Sequence, residues 1–204
     1  MKFKSLFPFL VSSLILSLFY ITFVGYFVFD LGLTDNSILL KVISTVLIIP
    51  KLLFLYFIYG EIDSKKDLPL KFLTILYLIS SFIEGSQLIS NNYLFHVKFL
   101  IQILFWIFLF IKFKNFSNKL IPVSILIVVV TSIFFYFKKY LDMNLFSNGS
   151  IDTSTYENSL SYKLNQIFTL TLHQDYHIRL NLIFLLHIIS LIFFFYSFNK
   201  LYKN

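Results

Sequence analysis

Long apolar runs separated by short polar breaks set the pattern of this chain. The first extends from about Leu6 to Phe29, the second from about Ile38 to Tyr59, and the third follows Asp67 and Pro69 and ends near Ile89. A fourth covers about Tyr93 to Ile111, a fifth begins at Pro122 and ends near Phe137, and a sixth runs from about Arg179 to Phe198. A helix rises 1.5 Å per residue, so about 20 apolar residues cross a hydrocarbon core of about 30 Å. The pattern predicts an all-α, polytopic transmembrane bundle of about six spans, organised as one domain over residues 1–204. Asp67 with Pro69 reads as a cap and first turn, and Ser117 or Asn118 with Pro122 reads the same way for the fifth run. Met1-Lys-Phe-Lys before an apolar run also describes a signal peptide. This run is too long for one and no small-residue cleavage site follows it, so it is read as a retained span.

The polar breaks differ in charge. The N-terminus, the second-to-third connection, the fourth-to-fifth connection and the C-terminus carry Lys, whereas Asp30–Asn36 and Ser90–Asn92 carry none. By the positive-inside rule both termini are expected to be cytoplasmic, in the inner membrane of a prokaryote. Lys138 and Lys139 fall on the opposite side of this arrangement. Tyr20, Tyr26, Tyr59, Tyr93, Tyr136, Tyr140, Tyr196 and Tyr202 lie near predicted span ends, as an aromatic belt requires. The one long connection, residues 141–177, is expected outside. In it Ser154-Thr-Tyr-Glu157 has capping-box spacing, and Leu160, Leu164, Ile167, Phe168, Thr171 and Leu172 repeat at helical intervals, which predicts an amphipathic helix lying in the interface. Asn148-Gly149 is a turn signal, and Asn148-Gly-Ser also matches a glycosylation acceptor.

Composition agrees with the class. The chain is 58% hydrophobic and only 13% charged, with a mean hydropathy of +0.82, far from soluble usage. The absence of cysteine excludes disulfides, thiolate nucleophiles and cysteine-ligated metal centres. Alanine is also absent, while Phe, Ile, Leu, Lys, Asn and Tyr dominate. That is a codon-bias pattern, so the Phe content is not read as ligand chemistry. The net charge of +7 is spread over lysines at the ends of apolar runs, which fits a membrane face and not nucleic acid. No cofactor signature is present, and the expected partners are the lipid bilayer and another membrane protein.

Candidate chemistry lies where polar groups enter the apolar runs, since a charge near the bilayer centre costs at least about 2.5 kcal/mol on insertion scales. Lys41, Lys71 and Lys98 are close enough to span ends to snorkel. Lys51 behind Pro50, Glu84, Gln102 and His187 are not. Helical rise places Lys51, Gln102 and His187 within about 6 Å of one level, with Thr131 near it and Glu84 farther out. As a functional site, Glu84 or His187 would handle a proton, Gln102 would assist, and Lys51 would hold an anionic group. As a structural network, the same residues would satisfy one another and fix helix positions. Ser13 and Ser17, one turn apart, would allow close helix approach or bond to their own backbone. His173, His177 and Asn181 share a stripe if the last helix begins early. Two histidines at that spacing can bind a metal, with Asp175 or Glu157 as a third ligand, or can sit as interfacial polar residues. Arg179 is expected at the headgroups, where it anchors the span or binds lipid phosphate.

From about Pro50 to Phe110 the layout resembles that of the lysoplasmalogenase-like (YhhN) membrane family. Pro50-Lys51 opens a Leu/Tyr-rich stretch, Ser81-Phe-Ile-Glu84-Gly85 ends the next span, and Gln102 follows in a further apolar span. That family has a Lys-Pro pair, a Ser-x-x-Gly-Asp motif and a polar position in the following helix. Here the dipeptide is reversed and Glu84 is the nearby acid. The resemblance implies a membrane-embedded lipid hydrolase using these residues. The remaining expectations are a non-enzymatic accessory or interaction protein, which ranks first on the residues alone, and a small carrier or proton relay.

Overall fold

The structure is a computed structural model and describes residues 3–25, 38–62, 67–85, 92–115, 118–146, 157, 159–174 and 178–201. Its elements in chain order are α1 (Phe3–Gly25), α2 (Ile38–Glu61), α3 (Leu68–Gly85), α4 (Asn92–Phe113), α5 (Leu120–Phe146), α6 (Leu160–Phe168), β1 (Thr169–His173), β2 (Ile178–Asn181) and α7 (Leu182–Leu201). Helices α1, α4, α5 and α7 each contain a stretch long and apolar enough to cross a membrane, and α3 holds a shorter apolar stretch, Leu68–Ser81. Each long helix packs against the next in sequence from α1 to α5, α5 packs against α7, and α7 closes onto α1. The six long helices therefore form a closed ring.

The ring's buried core lies toward the end that bears the chain's start. Leu6 and Leu10 of α1, Phe54 to Ile62 of α2, Leu70 to Tyr77 of α3, Phe105 to Phe113 of α4, Ile121 to Val129 of α5 and Leu191 to Phe198 of α7 form one cluster. Lipid tails are as apolar as these side chains, so van der Waals fit and ring geometry hold them together more than expulsion from water. Phe54 meets Phe194 and Phe195 edge-on at 6.0 and 4.9 Å, and Trp106 meets Phe105 and Phe194 the same way at 5.3 and 5.7 Å. Such pairs are worth about 0.5–1.5 kcal/mol each beyond their buried area. The same end is tied electrostatically. Lys112 at the end of α4 pairs with Asp67 at the start of α3, and the Lys71 ammonium lies 4.6 Å from the Tyr59 ring centroid.

Element ends follow local rules in most places. Asn118 Oδ1 accepts from the Leu120 amide at 3.1 Å and starts α5, one of the two caps the sequence offers. The segment after α5 differs from expectation. The fifth helix continues to Phe146, so Lys138 and Lys139 lie inside it and residues 141–146 are helix, not loop. Helix α6 is capped by Ser159, whose side chain accepts from the Tyr162 amide at 3.1 Å. Residues 154–156 of the proposed capping box lie outside the described residues. The helical repeat predicted through Leu172 ends at Phe168, because Thr169-Leu-Thr-Leu alternates with a period of two and forms a strand. That strand pairs antiparallel with β2, Thr169 opposite Asn181 and Thr171 opposite Arg179, with a bulge between Thr171 and His173. The last helix consequently begins at Leu182 and not at Arg179. Asn181 Oδ1 accepts from the Phe184 amide at 2.9 Å, three residues on, and caps it.

Candidate functional site

A cavity of about 200 Å³ lies inside the ring, with its lining drawn from five helices. Leu10, Ser13, Leu14 and Ser17 come from α1, Lys51, Phe54 and Leu55 from α2, Tyr77 from α3, Gln102 and Trp106 from α4, and His187, Leu191 and Phe195 from α7. Helical rise explains the meeting. Lys51 is about 15 Å along α2 from Glu61 at its C-terminal end, Gln102 about 16 Å from Phe113, and His187 about 21 Å from Leu201. The aromatic cluster of Phe54, Trp106 and Phe195 forms the apolar part of the wall, and the polar groups stand above it.

The sixth long helix contributes through His187. Thr131 Oγ1 of α5 lies 2.7 Å from His187 Nδ1, and also 2.8 and 3.1 Å from the carbonyl oxygens of Ile127 and Val128. Thr131 has one hydroxyl proton, and the carbonyls can only accept. When that proton goes to its own backbone, Oγ1 is free to accept from Nδ1–H. In the opposite tautomer the hydroxyl proton would turn to the ring lone pair and leave its bond to the α5 backbone. We therefore assign the proton of His187 to Nδ1, which leaves Nε2 as an acceptor. Thr131 does not line the cavity, and the Phe135 ring approaches the imidazole edge-on at 6.0 Å.

Lys51 places its ammonium 4.7 Å from the centroid of the Tyr77 ring, so α2 and α3 are joined by a cation–π contact at the cavity wall. Ser13 Oγ donates to the Leu10 carbonyl at 2.9 Å and Ser17 Oγ to the Ser13 carbonyl at 2.7 Å. Both serines thus spend their protons on α1 itself, as serines inside helices commonly do. Their oxygens remain available as acceptors.

Of the residues singled out in the sequence, Lys51, Gln102 and His187 meet at one cavity and Thr131 holds the histidine. Glu84 is on the last turn of α3, about 10 Å along the helix from Tyr77, and its side chain lies outside what the structure describes. Arg179 is exposed on β2 and does not line the cavity. The helical stripe proposed for His173, His177 and Asn181 is not formed, because His173 is in β1 and Asn181 ends β2. His177 and Asp175 lie outside the described residues, and Glu157 is exposed. Tyr77 and Trp106 are lining residues that the sequence pattern did not single out. Their signal is position: each stands well inside a span, away from the interfacial belts that usually explain Tyr and Trp. No protein-family model matches this chain, and neither curated proteins nor solved structures give a match.

Proposed function

We propose that the protein is a six-span integral membrane protein of the cytoplasmic membrane whose bundle binds a small anion-bearing molecule in the cavity around Lys51. In this reading both termini are cytoplasmic, α2 and α3 span together with α1, α4, α5 and α7, and α6 with the hairpin lies at the outer interface. The observation that carries it is the composition of the wall. Among the described residues that line the cavity, Lys51 brings an ammonium, 4.7 Å from the Tyr77 ring centroid, and His187 an imidazole. An ammonium at a cavity wall attracts and orients an anionic group, so an anion-bearing molecule is the ligand this wall favours. Size narrows it further. A cavity of about 150 Å³ takes a benzene-sized molecule, so one of about 200 Å³ admits a small molecule or a headgroup and not a whole lipid.

Trp106, the chain's one tryptophan, lines the cavity and reports on it directly. In detergent or nanodiscs its emission is expected to change saturably with propionate and to ignore neutral 1-propanol. Lys51→Met is expected to weaken the propionate response at least tenfold. An unchanged response in Lys51→Met would refute the reading.

A second reading, a lipid hydrolase as the lysoplasmalogenase-like layout implies, is favoured by one observation. His187 Nδ1 lies 2.7 Å from Thr131 Oγ1, and in the Nδ1–H form Nε2 is an acceptor, the arrangement a general base needs. In that case Nε2 would take a proton from water while Lys51 and Gln102 receive the developing anion. His187→Ala would then abolish turnover while leaving anion binding at Lys51.

A further inference from the structure

The two ends of the cavity differ. Toward the end that bears the chain's start, all six long helices close the ring with an apolar side chain: Leu6 of α1, Phe57 of α2, Leu70 of α3, Phe113 of α4, Ile121 of α5 and Phe198 of α7, each 8% exposed or less. Phe198 meets Phe57, Phe113 and Phe194 at 6.3, 5.7 and 5.5 Å, so the seal is a packed cluster of rings. A charged solute crosses such a layer only by giving up its hydration without replacement. Toward the other end the lining changes character within one helical turn. Ser13 and Ser17 follow Leu10 and Leu14 by three residues on α1, Lys51 precedes Phe54 by three on α2, and Gln102 and His187 precede Trp106 and Leu191 by four on α4 and α7. Because α1 runs away from the chain's start while α2, α4 and α7 run back toward it, each polar group lies about 4.5–6 Å nearer the hairpin end than its apolar neighbour.

Resting on the six-span, anion-binding reading above, we infer that the cavity is a blind pocket loaded from the side of α6 and the hairpin by a small amphiphilic acid. The acid enters from water with its apolar end leading toward Phe54, Trp106 and Phe195, and its carboxylate stops at the level of Lys51 and Gln102. A molecule of the same length with an acid group at each end is rejected, because one carboxylate would lie on the ring floor. The seal of six apolar side chains separates the pocket from the opposite face of the membrane.

Because the chain has no cysteine, single introduced thiols read access from each side in the full-length protein in its own membrane. A membrane-impermeant thiol reagent is expected to modify Ser17→Cys in intact cells and not in inside-out vesicles, with Lys163→Cys and Asn115→Cys marking the two sides. Butyrate is expected to slow that modification at least fivefold, and succinate less than twofold. Should Ser17→Cys not fold, Ser13→Cys on the same wall is read in the same way. Modification from the side of Asn115→Cys overturns the inference. Modification by a membrane-permeant reagent alone, as entry between helices from the lipid would give, overturns it too, and so does equal protection by the two acids. Access from the hairpin side with protection by neither acid overturns the anion reading and the ligand assigned here, and upholds the one-sided entry. Labelling of both markers from one side overturns the six-span reading and the inference with it.

Discussion

At the residue scale the site depends on how a threonine on one helix disposes of a single proton. Because Thr131 can donate to carbonyls one turn back, its oxygen can accept from His187 Nδ1–H, which favours that tautomer of the imidazole. Nitrogen chemical shifts of labelled histidine are expected to show His187 as the Nδ1–H form. In Thr131→Val the population is expected to shift toward Nε2–H, with stability lowered by about 1–3 kcal/mol for the stranded buried group. An unaltered tautomer in that variant would contradict the assignment. Lys51, Gln102 and His187 are legible in the sequence because polar groups inside apolar runs demand a reason. Tyr77 and Trp106 are not, since amphipathic aromatics in a chain with 13 tyrosines have a ready explanation at the membrane interface. The same argument from cost and spacing singles out Glu84 and the metal pair. For the pair, spacing assumes a helix where β1 and β2 form strands.

At the scale of elements, the helices are legible in the sequence and their ends less so. Helix α5 has 27 residues and is about 40 Å long, more than a core of about 30 Å requires. Counted from Leu120, the core's far boundary falls near Lys139, which places Lys138 and Lys139 at an interface instead of in a loop. His96 Nδ1 lies 2.9 Å from Tyr136 Oη there, and Phe99 stacks on Tyr136 at 4.7 Å, so α4 and α5 share an aromatic belt at that level. The hairpin is hidden in the sequence because Leu160, Leu164, Ile167 and Phe168 set a helical rhythm that the Thr–Leu alternation after them only locally breaks. Where the capping chemistry is correctly placed, its cost is measurable. Asn181→Ala is expected to destabilise the start of α7 by about 0.5–2 kcal/mol, seen as a lower unfolding midpoint in detergent, while Asn181→Asp is expected to leave it nearly unchanged. Equal loss in both would argue against the cap.

At the scale of the whole molecule, the ring joins helices that are neighbours in sequence except at α5–α7 and α7–α1, so connections stay short and one long excursion carries α6 and the hairpin. Natural absence of cysteine makes the arrangement in the membrane easy to test. In intact cells Asn115→Cys is expected to resist a membrane-impermeant thiol reagent, and Lys163→Cys on α6 to react with it. Labelling of both from the same side would contradict the proposed six-span topology.

The convergence of polar and aromatic side chains inside the ring is tested most directly by Trp106, which is 5% exposed, in nanodiscs made with brominated acyl chains. Bromine quenches only indoles it can touch. Trp106 emission is expected to survive largely intact, whereas a tryptophan placed by Val130→Trp in a Trp106→Phe background, at a position 58% exposed on α5, is expected to be strongly quenched. Quenching of Trp106 to the same degree as the Val130 probe would mean that the indole faces lipid and does not stand inside the ring.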